Sequence, residues 1–160
     1  MNFKKILKYF KKDRFWLAFL IAILVVIFIG YFDSLAAHSG VFGNYEDYTN
    51  ANYTKGWWNV FSFIGTTFIL LIPLCYFVFY RRDKSETFAI LTTSLILWQT
   101  GLADVSYFLV QGKAVPSSLP WLANAQFMSM FGATAIGLYI SVIMGFILAF
   151  LVALFLKEKV

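Results

Sequence analysis

Asp104 is the side chain in this sequence with the clearest potential for chemistry. It lies inside a long apolar block and is the only acidic residue in any of the four such blocks. A charge at the centre of a membrane helix costs roughly 2.5–3.5 kcal/mol on insertion scales, so an intramembrane carboxyl group indicates a functional site. We therefore predict Asp104 as the catalytic or ligand-binding group, acting as an acid, a base or a cation-binding residue. The alternative is a structural carboxyl group that holds helices together by hydrogen bonds.

Other polar side chains have a spacing that could support Asp104. Thr100 precedes it by four residues and Tyr107 follows it by three, which places the three side chains on one face of an uninterrupted helix. Their hydroxyl groups can hydrogen-bond a carboxyl group. We predict an outward-facing polar pocket that is formed by the second, third and fourth blocks. The predicted ligand-binding residues of this pocket are Asn59, Gln99, Thr100, Tyr107 and Gln126.

A metal site is a weaker hypothesis for the segment 33–56. This segment holds the single histidine, His38, together with Asp33, Glu46 and Asp47. These are residue types that bind zinc or hard cations. Their spacing contains no pair of histidines of the kind found in helical zinc motifs. A solvated loop with scattered carboxylates explains the segment better, so the sequence predicts no metal site and no particular cofactor.

Membrane-spanning helices must position these side chains. Apolar residues make up 61% of the chain and charged residues 13%, whereas soluble domains average about 45–50% and 25%. Four apolar blocks reach the length of about 20 residues that one span requires, and lipid leaves the backbone of such a block no alternative to a helix. The blocks cover residues 15–32, 57–80, 87–110 and 127–156. The predicted fold is an all-α integral membrane protein, a four-transmembrane-helix bundle in one domain of residues 1–160.

The positions of the basic residues predict the orientation of this bundle. Eleven of the 13 lysines and arginines lie before the first block, between the second and third, or after the fourth. Only Lys55 and Lys113 lie in the other two loops, 33–56 and 111–126. The positive-inside rule then places the N and C termini in the cytoplasm of a multi-pass cell-membrane protein. Because the charges flank apolar blocks, the net charge of +5 does not indicate nucleic-acid binding.

Two links between the blocks carry further expectations. The inner turn 81–86 is short and charged, so we expect a solvated turn at the cytoplasmic headgroups that includes Glu86. In the second outer loop, Pro116 and Pro120 mark a turn that ends the third helix. Trp121 is expected to anchor this loop at the membrane interface. The alternative is that residues 119–122 lie across the mouth of the bundle as a small lid.

Helix packing is predicted most strongly for the fourth block. Small residues recur there at every fourth position, a pattern that allows close approach of two helix backbones. The row consists of Ala133, Gly137, Ser141, Gly145, Ala149 and Ala153. Its partner is either an internal helix or a second protomer. The first block has no charged or amide side chain, so we expect it to be either the most lipid-exposed helix or a peripheral brace. Pro73 should kink or loosen the second helix.

Three hypotheses for the function follow from these patterns. The leading one is a small polytopic membrane protein that binds or acts on a lipid or small ligand in the pocket around Asp104. The alternative is an accessory subunit whose small-residue face packs in a homo-oligomer or a larger membrane complex. A transporter or channel is the third and weaker hypothesis, because four spans without an internal repeat need oligomerisation to enclose a path. The sequence does not decide whether the protein is an enzyme.

The first block also resembles a secretory signal peptide, because a basic start and an apolar run precede the small residues at positions 34–37. Its apolar run is longer than the roughly 7–15 residues of a signal core, so an uncleaved first helix is expected.

The triplet that begins at Asn52 matches the acceptor site for N-glycosylation on the predicted outer side. Such triplets arise often by chance, and we do not predict the modification.

Overall fold

The computed structural model describes residues 13–38, 51–81, 84–119, 122 and 128–159. This part of the chain contains five α-helices, a π-helical segment and a short 3-10 helix. In chain order they are α1 (Asp13–His38), α2 (Ala51–Cys75), the π-helix Tyr76–Arg81, α3 (Lys84–Gln99), α4 (Leu102–Val110), the 3-10 helix Met128–Phe131 and α5 (Ala135–Lys159). One isolated antiparallel bridge joins Ser118 to Thr134.

Three helical segments are long and apolar enough to cross a membrane. They are Trp16–Ala36, Phe61–Tyr80 and Ala135–Leu156. Helices α3 and α4 meet the same criterion only when they are taken together, and they are bent by 72° relative to one another. The predicted all-helical class with helices of membrane length is thus confirmed, with three candidate spans, or four if the bent pair is one span.

The helix predicted for the third span is broken at Gly101, so the prediction of one continuous helix over residues 87–110 is wrong. Gly101 has a φ of 91°, in the left-handed region that side chains with a Cβ rarely adopt. Just before the break, the Gly101 N–H donates to the carbonyl oxygen of Trp98, 3.1 Å away. The hydroxyl of Thr100 donates to the carbonyl of Leu97 at 3.1 Å. These two bonds satisfy carbonyl groups that the end of α3 would otherwise leave unpaired.

Helix α1 is not the most exposed of the long apolar helices, which corrects the expectation that it would be: one face packs into the fold, while Leu20 and Leu24 on the other face are exposed. It packs against both α3 and α4, and Ala22, Val26 and Ile29 are fully buried. Gly30 lies directly against α4, because a Cβ at this position would collide with the Ser106 hydroxyl and the Ala103 carbonyl oxygen. Small residues on one face of α1 therefore allow its close contact with α4.

Helix α5 packs against α3 through its small-residue face. A Cβ on Gly145 would lie 2.7 Å from the Cβ of Thr100, so only glycine fits there without a shift of neighbouring atoms. Further along, Ala153 of α5 and Ala89 of α3 share one buried cluster. The two helices are therefore antiparallel neighbours, and at these positions the partner of the small-residue row is internal.

The start of α5 differs from the predicted start of the fourth span at residue 127. Thr134 caps the helix, since its hydroxyl accepts a 3.1 Å hydrogen bond from the N–H of Gly137. Ala133 consequently lies before the helix. Gly137 contacts the carbonyl groups of Phe131 and Gly132 in the preceding turn. The first residues of the row thus accommodate a tight chain reversal at the start of α5.

The loop that follows α4 packs into the helical core through Leu119 and Leu122. The N–H of Leu119 donates to the carbonyl of Ala133 at 2.9 Å. Leu119 and Leu122 are fully buried and belong to the same core cluster as Leu138 of α5. Pro120 lies outside the described residues, so the lid alternative for residues 119–122 stays a prediction. Trp121, which was expected to anchor the loop, lies outside the described residues.

Candidate functional site

Asp104 lies in the first turn of α4, three residues after Gly101, which is the N-cap. The N-terminal turn of a helix has free backbone N–H groups and a partial positive charge, both of which favour a carboxylate. Across residues 102–108 every side chain except that of Asp104 is buried, and Asp104 is partly exposed. The break in the span thus gives an acidic side chain both a favourable backbone environment and access from outside the core.

The packing of α1 shows how deep this turn lies. Gly30 contacts α4 at Ala103 and Ser106, the two residues that are one position before and two positions after Asp104. Gly30 is six residues before Ala36, where the apolar segment of α1 ends. At 1.5 Å per residue this corresponds to about 9 Å along α1. Asp104 therefore lies at about the level of Gly30, inside the apolar segment of α1 and about 9 Å from the end of that segment.

Two further polar side chains follow Asp104 at helical spacing on α4. Tyr107 is buried, and its ring meets that of Phe108 edge-on at a centroid distance of 5.1 Å. Gln111 is the C-cap of α4, and its Nε2 atom is buried without a hydrogen-bond partner in the described part of the chain. With separations of three and four residues, Asp104, Tyr107 and Gln111 share one face of α4.

The bend separates the other predicted pocket residues from this face. Thr100 is buried against Gly145, and its hydroxyl is bonded to the carbonyl of Leu97. Gln99 is the last residue of α3 and is exposed. Residues share a helix face only while the helix is regular. The spacing of three and four residues therefore cannot be used to place Gln99 or Thr100 on the same face as Asp104, because Gly101 interrupts the helix between them.

The remaining predicted ligand-binding residues belong to other elements. Asn59 lies within α2, but its side chain is outside the described part of the structure. Gln126 lies outside the described residues altogether. Among the predicted set, Asp104 and Tyr107 therefore remain on one face of α4, and Gln111, which has the same helical spacing in the sequence, follows them on that face.

Glu86 is a buried carboxyl group that the sequence analysis assigned to a solvated turn, and that assignment is wrong. Helix α3 begins at Lys84, so Glu86 lies in its first turn, and only 4% of its surface is exposed. The hydroxyl of Tyr76 donates a 2.7 Å hydrogen bond to its Oε2 atom. Tyr76 begins the π-helix, three residues after Pro73. The predicted loosening near Pro73 thus takes the form of the π-helix, which places the hydroxyl of Tyr76 against Glu86.

An apolar groove lies apart from these polar groups, between α1, α2 and α4. Its volume is about 530 Å³, and Asp104 does not line it. Its walls include Ile21, Leu24, Phe28, Tyr31, Ile72 and Val110. Several of these side chains, including Leu24 and Phe28, are largely exposed on the surface of the bundle. The groove therefore opens sideways, on the outer surface of the packed helices.

No group of three or more potential metal ligands occurs in the described part of the chain. No protein-family model, no curated protein and no solved structure matches this sequence. The function must therefore be argued from the geometry of this chain alone.

Proposed function

We propose that this protein is a multi-pass cell-membrane protein that binds a lipid headgroup or small ligand at the helix break, through the carboxyl group of Asp104. The observation that supports this proposal is the accessibility of Asp104 within an otherwise buried turn. A structural carboxyl group buried only to hold helices together would not need to remain partly exposed.

The proposed orientation places both termini in the cytoplasm, with α3 and α4 acting together as the third of four spans. The charge distribution supports this arrangement, because Lys84 and Lys157 then lie on the cytoplasmic side and Lys113 lies outside. The site around Asp104 then faces the outer leaflet, and the lipid bilayer is the immediate partner of the protein.

The chemistry of the site favours a ligand with a positive charge or hydrogen-bond donors. A carboxylate attracts a cation, and the neighbouring phenol of Tyr107 and amide of Gln111 can orient a polar group. An ammonium headgroup such as that of phosphatidylethanolamine has this chemistry. An anionic ligand would be repelled by the same carboxylate.

The replacement Asp104→Asn tests this proposal because it keeps the shape of the side chain and removes its negative charge. The full-length protein would be purified in detergent, and its thermal unfolding measured with added phosphatidylethanolamine or phosphatidylcholine. We expect phosphatidylethanolamine to raise the unfolding temperature of the unmodified protein and to have a much smaller effect on the variant.

The control is Glu158→Gln, which removes one negative charge near the end of α5 and should behave like the unmodified protein. Native mass spectrometry of molecules retained through purification would extend the test to ligands other than this lipid. If Asp104→Asn only lowers the unfolding temperature and changes neither lipid stabilisation nor the retained molecules, the proposed role of Asp104 is wrong.

The accessory-subunit hypothesis now has a different structural basis. Gly145 and Ala153 belong to the small-residue row, and both already pack against α3 or its C-terminal end in the same chain. A second protein would have to contact the opposite face of α5, where Ile136, Ile143 and Leu151 are exposed. Large apolar side chains of this kind also suit a face that contacts lipid, so we retain ligand binding as the proposed function.

A further inference from the structure

The apolar groove between α1, α2 and α4 has the size and position of a site for a hydrocarbon chain. Its volume of about 530 Å³ lies within the range of about 300–1,000 Å³ that is typical of ligand sites. Along α1 it extends from Ile21 to Tyr31, which is about 15 Å of helix at 1.5 Å per residue. Ile21 lies well inside the apolar segment Trp16–Ala36 and Tyr31 lies five residues from its end, so the groove runs from the depth of the acyl chains toward the membrane surface.

A positive charge lies close to one end of this groove. Val110 lines the groove and is the last residue of α4. The helix then ends in a tight turn. The N–H of Gly112 donates to the carbonyl oxygen of Leu109 at 3.1 Å, and the N–H of Lys113 donates to the carbonyl oxygen of Phe108 at 3.0 Å. Three Cα–Cα steps limit the distance from Val110 to Lys113 to about 11 Å.

Two polar side chains near this end are suited to a phosphate group. The side chain of Lys113 is exposed and can point toward the membrane surface. Tyr31, which is 41% exposed, lines the same groove next to Gly30, the residue of α1 in contact with α4. An ammonium group and a phenol can both donate hydrogen bonds to phosphate oxygens. Lysine near a membrane surface also favours lipids with a net negative charge.

We propose that the groove binds one acyl chain of an anionic phospholipid and that Lys113 and Tyr31 hold its phosphate. The lipid comes from the leaflet on the side of residues 111–119. This site is separate from Asp104 and goes beyond the function proposed above, since the groove selects by an apolar surface and a positive charge. Failure of the Asp104 experiment would leave it intact, and the reverse also holds.

Lipid titration of the full-length protein by native mass spectrometry tests this site. The probes are phosphatidylglycerol and phosphatidylcholine with identical acyl chains. We expect the unmodified protein to bind phosphatidylglycerol preferentially. Lys113→Gln should lower this preference about fivefold, since one lysine near a membrane surface contributes a factor of that order.

A second variant tests the groove itself. Leu24 lines the groove and is 53% exposed, so Leu24→Trp fills space without overpacking the core. It should lower the binding of both lipids. Ile143→Trp, at a similarly exposed position on α5, is the matched control and should bind both lipids like the unmodified protein.

Three results would overturn the proposal. The first is an unchanged preference for phosphatidylglycerol in Lys113→Gln, and the second is unchanged lipid binding in Leu24→Trp. The third is a dimer that Leu24→Trp dissociates, because the groove would then be occupied by a second copy of the chain.

Discussion

The hydroxyl group of Tyr76 donates a 2.7 Å hydrogen bond to Oε2 of Glu86, and both residues are at least nine-tenths buried. This bond joins the π-helix at the end of α2 to the first turn of α3. A carboxyl group removed from water is costly unless it is hydrogen-bonded, so the bond compensates part of the cost of burying Glu86. The two residues thus hold together the ends of two consecutive helices.

We predict that Tyr76→Phe destabilises the protein by about 1–3 kcal/mol, because it removes a donor from a buried acceptor. Tyr139→Phe is the control, since Tyr139 is 46% exposed on α5 and the same atom is removed there. The free energy of unfolding would be measured by denaturant titration in detergent micelles. A loss in Tyr76→Phe no larger than that in Tyr139→Phe would show that the hydrogen bond contributes little.

The contact of Gly145 with Thr100 leads to a second prediction. A Cβ at position 145 would lie 2.7 Å from the Cβ and 2.8 Å from the Cγ2 of Thr100. Overpacking outweighs the better helix propensity of alanine, so Gly145→Ala should destabilise the protein by about 1–2 kcal/mol. Ser141→Ala, in the same row, is the matched control. Ser141 is fully buried and its hydroxyl has no partner in the described part of the chain.

A double-mutant cycle separates this contact from other effects. Thr100→Ala removes the two atoms beyond its own Cβ, so the cost of Gly145→Ala should be smaller in that background. We expect a coupling of at least about 0.5 kcal/mol between the two positions. Additive effects would mean that α5 and α3 do not approach one another at this point.

The all-helical class and the approximate places of the long apolar helices could be predicted from the sequence because lipid imposes strong local constraints. An apolar run of about 20 residues has few structural alternatives in a bilayer. The break at Gly101 could not be predicted in the same way, because glycine is also common within intact membrane helices. The prediction that Thr100 and Asp104 share one helix face assumed an unbroken helix, and the break at Gly101 removes that argument.

Tertiary contacts account for the other differences. Glu86 was expected in water because it follows a run of charged residues, but the packing of the π-helix against α3 buries it. Helix α1 was expected at the periphery because it lacks polar side chains. Its small residues Ala22 and Gly30 carried the signal for close packing, and the same pattern was recognised only in α5.

Chemical labelling can decide whether the bent pair α3–α4 crosses the membrane. Cys75 is the only cysteine, so a Cys75→Ser background allows single cysteines to be placed at will. Lys84 at the start of α3 and Lys113 after α4 are both exposed. With a membrane-impermeant maleimide, we expect Lys113→Cys to react in intact cells and Lys84→Cys to react only after the membrane is opened.

The physical reason is that α3 and α4 together supply the third span of the proposed topology, so their ends must lie on opposite sides. Ser117→Cys, in the same exposed loop as Lys113, should repeat the behaviour of Lys113→Cys and serves as an internal control. Reaction of Lys84→Cys and Lys113→Cys from the same side would instead make the bent pair a re-entrant segment. Three spans would remain, the termini would lie on opposite sides, and Asp104 would no longer be assigned to the outer leaflet.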